Sequence, residues 1–215
     1  MSILEVPARD LLRVLPFRST DDVRYYLNGI LVEPAETGCM IVATNGHWLA
    51  AIHSEGAKVD ERRILVMSEP FEKALRETSE FDNSKVTVED VASRAVLTAT
   101  FGERYIEPGA PFIDGKFPQW RKVVPPIHHM KPGLIAALQS KYISSLHEAA
   151  GRDRYSGLKF WHDERDPEKS QVIARYSGCP ELIVVIMPLR EFNAKSCEWP
   201  TWFAPAPEET TEAAA

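Results

Sequence analysis

The chain has 215 residues, 44% of them hydrophobic, and a formal charge of -6. That is enough apolar material for one large domain or two modest ones, and it excludes a disordered, core-less polymer. The acidic balance excludes an overall basic footprint, so any contact with phosphate would have to use a local patch.

In chain order the pattern is a helix and then a run of strands, seen three times, with little literal sequence shared between the copies. In the first copy Ala8, Leu11, Leu12 and Leu15 fall at helical spacing, Arg9 and Arg13 lie on another face, and Pro16 ends the element. Strands are expected at Arg24 to Val32, Cys39 to Ala43 and Trp48 to His53. The second copy opens with a strand at Ile64 to Met67. Ser68 then serves as an N-cap and Pro70 stands in the first helical turn, where its missing N–H is harmless. Phe71, Ala74, Leu75 and Thr78 face one way, and Lys85 to Glu89 and Arg94 to Phe101 alternate as half-buried strands should. The third copy puts Leu134, Leu138 and Tyr142 on one helical face, followed by strands at Leu158 to His162, Val172 to Tyr176 and Glu181 to Met187. The charged stretch from Asp163 to Ser170, with Pro167, reads as a hairpin loop. The fold class is therefore α+β, with each unit laying one helix across a small antiparallel sheet. Neighbouring units must pack side by side to bury both faces. From Pro205 onward Pro, Glu, Thr and Ala dominate, and that end is expected to be disordered.

Cys39, Cys179 and Cys197 match neither a paired metal-ligand spacing nor a disulfide scaffold, and they read as reduced thiols. The first ten residues lack a secretory pattern, and no apolar run approaches the roughly 18 residues of a membrane span. A soluble, cytoplasmic protein is expected. The adjacent pair His128-His129, on an extended segment, would point to opposite faces, and no His-Glu-x-x-His or Cys-x-x-Cys is present, so no metal and no cofactor are expected. No nucleophile, base or carboxylate constellation is visible either, which argues against an enzyme.

Four stretches instead mix apolar side chains with Gly or Pro punctuation: Arg24-Tyr25-Tyr26-Leu27-Asn28-Gly29, Thr44-Asn45-Gly46-His47-Trp48-Leu49, Asp114 to Val123, and Val185-Ile186-Met187-Pro188-Leu189-Arg190. That chemistry suits a binding surface. Taken together and in order, they resemble the bacterial DNA polymerase III beta subunit, the sliding clamp that encircles duplex DNA. The likeness runs from Arg9 to Pro125, which is similar to the clamp's middle domain, and returns at Leu182 to Arg190, which is similar to its final strand. The resemblance implies the sliding-clamp fold, with three helix-plus-strand units and helices on one face of curved sheets. It divides the chain into a two-unit clamp domain over residues 1–125, a half domain over 126–192, and a tail over 193–215. It also implies that the family's first domain and about half of its last are lacking.

By the same resemblance, partners would drop a short peptide into a hydrophobic cleft lined by Leu27, Thr44, Gly46, His47, Trp48, Leu49, Pro118, Lys122, Val123, Val185, Met187, Pro188, Leu189 and Arg190. Independently, apolar walls with a flexible Met suit a concave site that accepts leucine and aromatic anchors. Trp48 stands where the family usually has arginine and is expected to narrow the cleft. The family's helices line a central hole and meet phosphates without reading bases. Candidates for that role are Arg9 and Arg13 on the first helix, Lys73 and Arg76 on the second, and Lys131 and Lys141 on the third. Arg24, Tyr25 and Tyr26 match a loop that touches DNA. Glu69, Glu72 and Glu77 weaken the second helix, and an ordinary solvated face is the alternative.

The expected function is that of a non-enzymatic processivity factor. It would encircle duplex DNA as a homo-oligomer, with or without a clamp loader, and tether polymerase or repair proteins. Family rings hold about twelve units, so four copies of a three-unit chain would supply the same number. The alternative is a clamp mimic that does not encircle DNA and captures clamp-binding peptides or a host clamp. The aromatics of Trp199-Pro200-Thr201-Trp202-Phe203 either strap onto the body or occupy the chain's own cleft or a neighbour's, competing with partners or helping assembly.

Overall fold

The strands among the described residues fall into two antiparallel sheets rather than three. The computed structural model describes residues 2–20, 22–78, 84–89, 95–98, 104–106, 111–133, 136–149 and 157–189. Its elements are β1 (Ser2–Pro7), α1 (Ala8–Val14), β2 (Ile30–Pro34), β3 (Cys39–Thr44), β4 (Trp48–Ser54), β5 (Lys58–Val59), β6 (Arg63–Leu65), α2 (Glu69–Thr78), β7 (Lys85–Glu89), β8 (Ala95–Thr98), β9 (Arg104–Ile106), β10 (Met130–Pro132), α3 (Ser140–Ala149), β11 (Leu158–Asp163), β12 (Val172–Tyr176) and β13 (Cys179–Ile186). A five-stranded sheet has the order β5-β1-β7-β8-β9, and an eight-stranded sheet has the order β10-β11-β12-β13-β4-β3-β2-β6. The third unit therefore joins the first edge to edge, through β13 on β4, with Val185 opposite Leu49 and Ile186 opposite Trp48.

Period-two alternation gives the large sheet two apolar faces. Ile30, Val32, Ile41, Ala43, Ala50, Ile52, Val184 and Ile186 point to the helix side. There they meet Leu11 and Val14 of α1, Phe71 and Leu75 of α2, and Leu146 of α3, all fully buried. Burying one such side chain stabilises by about 1.5–3 kcal/mol. Leu31, Val42, Leu49, Ala51 and Val185 point the other way and are covered by Leu27, Phe117 and Trp120 from the connecting segments. The second face is what makes a site.

Local signals explain the elements. The Phe71 N–H donates to Ser68 Oγ at 3.2 Å, the cap expected for α2. With only seven residues, α1 would be marginal in isolation. It is fastened by the Ala8 N–H donating to the Ser84 carbonyl at 2.8 Å and by buried Asp10 accepting the Ser54 hydroxyl at 2.6 Å. Gly29 lies where an added Cβ would come within 2.7 Å of the Leu65 carbonyl oxygen and of Ile64, so only glycine lets this turn cross β6.

Several expectations are corrected. Ser2–Pro7 is a strand that crosses into the second unit's sheet, pairing with β5 and β7; its alternation is too short to stand out. The stretch expected as a strand from Arg24 opens as a 3-10 turn at Tyr25–Leu27, and the strand begins at Ile30. The third helix starts only at Ser140, so Leu138 precedes it and Lys131 lies on β10; Leu134 lies outside the described residues. His128 and His129 share a 3-10 turn with their ring centroids 4.1 Å apart, not opposite faces of an extended strand. Cys39 and Cys179 are buried and free, and Cys197 lies outside the described residues.

Candidate functional site: an apolar hollow beside the β4–β13 junction

Three loops close over the outer face where β4 meets β13. The first is the segment Asp22 to Asn28. Asp22 accepts the Arg24 backbone N–H at 2.8 Å, and the Asn28 side chain bonds both the N–H and the carbonyl of Asp22, at 3.1 and 3.3 Å. The Arg24 guanidinium also grips the Asp22 carboxylate through Nε at 3.0 Å and Nη2 at 2.6 Å. Those bonds hold the Asp22 carboxyl down at about 2 and raise the Arg24 pKa further.

The second loop is the β3–β4 turn. Thr44 Oγ1 accepts the Gly46 N–H at 3.1 Å and donates to the Trp48 carbonyl at 2.6 Å, and Asn45 Oδ1 accepts the N–H groups of His47 and Trp48 at 3.0 and 3.3 Å. Gly46 takes φ +88°, in the left-handed region that favours glycine. An added Cβ there would sit 3.1 Å from the Arg24 guanidinium, so the first two loops touch.

The third loop is Phe117 to Val124. The Trp120 indole N–H donates to Glu33 at 3.0 Å, Arg121 pairs with the same carboxylate and lies 4.3 Å over the Trp120 ring. Phe117 and Trp120 are buried, while Val123 is 44% exposed.

Between them lies a hollow of about 250 Å³ lined by Arg24, Leu27, Thr44, Gly46, His47, Trp48, Leu49, Pro118, Gln119, Trp120, Val123, Val185 and Met187. Of the residues expected to line a cleft, Lys122, Pro188 and Leu189 stand near but do not line it, and Arg190 lies outside the described residues. Arg24, Gln119 and Trp120 line it without having been assigned to it. Gln119 and Trp120 belong to a motif already singled out, so chain adjacency was a usable signal for them. Arg24 was assigned to DNA instead.

Trp48 differs from expectation in where its bulk goes. It is only 7% exposed, and its ring stacks on Phe17 at 4.7 Å and on Tyr142 at 4.5 Å, among the helix-side residues. It forms part of the hollow's wall, but most of its volume fills the core.

The DNA-contact candidates are dispersed. Arg9 and Arg13 lie 3.6 and 3.8 Å from Asp10, Arg76 lies 2.9 Å from Glu72, and Lys131 lies 3.3 Å from Glu164. Lys73 and Lys141 are exposed, the latter 5.3 Å over the Tyr142 ring. Tyr25 is exposed, whereas Tyr26 packs on the outer-face cluster. Over the three helices Arg9, Arg13, Lys73, Arg76 and Lys141 are matched by Asp10, Glu69, Glu72, Glu77 and Glu148. Among the described residues no group of three or more His, Cys, Asp or Glu side chains could hold a metal ion, and no helix is long and apolar enough to cross a membrane.

No family model matches the chain. It is 30% identical over 127 residues to the beta sliding clamp of Vibrio cholerae serotype O1, a match covering 58% of this chain and 33% of that protein. It is 33% identical over 106 residues to the beta sliding clamp of Pseudomonas aeruginosa, covering 48% of this chain and 28% of that one. The chain thus matches about a third of the length of these curated relatives. Among solved structures, the DNA polymerase III subunit beta from Pseudomonas aeruginosa superposes with a TM-score of 0.62 at 16% identity, over 88% of this chain and 67% of that one. The sliding clamp from Bacillus subtilis superposes with a TM-score of 0.64 at 13% identity, over 89% and 65% respectively. The chain is similar in sequence to part of the bacterial DNA polymerase III beta subunits, and it carries the sliding-clamp fold.

Proposed function

We propose that this protein is a non-catalytic, clamp-like processivity factor whose hollow receives short apolar peptide anchors from a polymerase or repair protein. One observation carries that reading: Leu27, Leu49, Val123, Val185 and Met187, brought from four separated parts of the chain, form the walls of a single hollow. The walls are apolar, the hollow's polar edge is Thr44 and Arg24, and Met187 supplies a side chain able to repack around different anchors. Residues 1–125 act as a two-unit clamp domain and 126–192 as a half domain, with β13 on β4 as the seam. Among the described strands β5 and β9 end one sheet and β10 and β6 the other, and further copies would add at β9 and β10. Four three-unit copies would supply the unit count of a family ring, whose hold on DNA is topological and needs only weak phosphate contacts. A cytoplasmic location fits this role.

The deciding experiment is to measure the mass in solution, then to test retention on circular duplex DNA before and after the circle is cut. An oligomer retained on the closed circle and released from the cut one supports the ring. A monomer without topological retention sinks it.

The matched charges on the helix face favour a second reading, a peptide-capturing regulator that does not encircle DNA. In that case a labelled short peptide with Leu and Phe anchors binds the hollow, while circular DNA is not retained.

A further inference from the structure

The chain leaves the hollow through one of its own walls and runs on into a sequence whose chemistry matches that hollow. The Met187 N–H donates to the His47 carbonyl at 3.0 Å, and the Leu189 N–H donates to the Ala137 carbonyl at 2.9 Å, so the backbone is pinned beside the site. Ten residues after Leu189 begins Trp199-Pro200-Thr201-Trp202-Phe203, which lies outside the described residues. Ten residues of extended chain span at most about 35 Å, so this segment reaches back to the hollow of the same molecule with slack.

Size and charge agree with such an occupant. At about 250 Å³ the hollow is smaller than the roughly 300–1,000 Å³ of drug-sized pockets, which suits a single bulky aromatic anchor on an extended segment. Lys122 is exposed beside the lining residue Val123, Arg24 and Arg121 are exposed there too although each already pairs with an acid, Asp22 and Glu33, and the sequence beyond the aromatics carries Glu208, Glu209 and Glu212. We infer that the Trp199–Phe203 segment occupies the hollow of its own molecule and competes there with external peptides. The inference rests on the proposal that the hollow takes apolar peptide anchors. A tether of this length sets an effective concentration in the millimolar range. A tail that binds with an intrinsic Kd of about 100 μM would then weaken an external peptide about tenfold.

The test uses the full chain and a full-length variant combining Trp199→Ala, Trp202→Ala and Phe203→Ala, each with methyl-labelled Met, Leu and Val. Expected are ring-current shifts at Met187, Leu49 and Val185 in the parent that are lost in the variant and do not change on dilution. A labelled Leu- and Phe-anchored peptide binds the variant about tenfold tighter. Identical methyl spectra overturn the inference, as do shifts that fade on dilution, because these assign the tail to a second copy. Equal peptide binding by both proteins, without shifts, leaves the hollow's function standing and removes the tail from it. Tail-dependent shifts with no binding of the external peptide do the reverse.

Discussion

Trp48 and Tyr142 stack with ring centroids 4.5 Å apart and an interplanar angle of 36°, and this pair ties the first unit's hairpin to the third unit's helix. Phe17 also packs on Trp48, with ring centroids 4.7 Å apart, and the three rings belong to the helix-side core. Trp48→Ala is expected to destabilise the protein by about 3–5 kcal/mol, the range for deleting a large buried ring. A double-mutant cycle with Tyr142→Ala should return a coupling of about 0.5–1.5 kcal/mol, read from urea unfolding. Additive single changes would mean that the stack contributes nothing specific.

Val123 is the wall residue that can be changed without opening the core. It is 44% exposed on the short turn that follows Trp120, so Val123→Glu should alter stability by less than about 0.5 kcal/mol. The same change puts a solvated charge on the apolar wall and is expected to weaken a Leu- and Phe-anchored peptide at least tenfold in fluorescence anisotropy. Unchanged affinity would place peptide binding elsewhere.

Much of this site was legible in the sequence, because its chemistry comes in short runs that stay together in the fold. Thr44 through Trp48 is a turn that satisfies its own hydrogen bonds, so its geometry follows from local residues alone. The destination of Trp48 was not legible. Which face of β4 a residue occupies depends on register with β3 and β13, and the ring's neighbours Phe17 and Tyr142 are contributed from distant parts of the chain. β1 was missed for a related reason: six residues ending in Pro7 give a weak periodicity, and their pairing partner is β7, far along the chain. That Arg24 lines the hollow was not legible, because its place there depends on its carboxylate partner, Asp22, and on the close approach of the β3–β4 turn.

Glu72 should leave a signature in acid. Burial pushes its carboxyl up, but hydrogen bonds from Arg18 and Arg76 outweigh that, so its pKa lies below the ordinary carboxylate value. A folded-state pKa below the unfolded one means that the contribution to stability is present above about pH 4.3 and is lost as the pH falls through the folded value. Glu72→Gln removes this contribution and leaves the buried Arg18 guanidinium without its carboxylate. Urea midpoints should therefore fall at pH 7 and depend less on pH below about 4 than in the parent. Parallel acid profiles would assign the slope to other carboxylates.

The helices give the sharpest test of how this protein meets DNA, since their five cations are offset by five anions, of which Asp10 alone is buried. Each phosphate neutralised deepens the dependence of log K on log salt by about 0.9, so a balanced face predicts weak binding with a shallow slope. Replacing Glu69 and Glu77 of α2 with lysine changes two exposed positions and adds cations beside Lys73. If this face meets the duplex, the double variant should bind a labelled duplex more tightly and steepen the slope by about two between 50 and 200 mM salt. An unchanged slope would mean that the helices never approach the phosphates, and the ring reading would lose its DNA-facing surface.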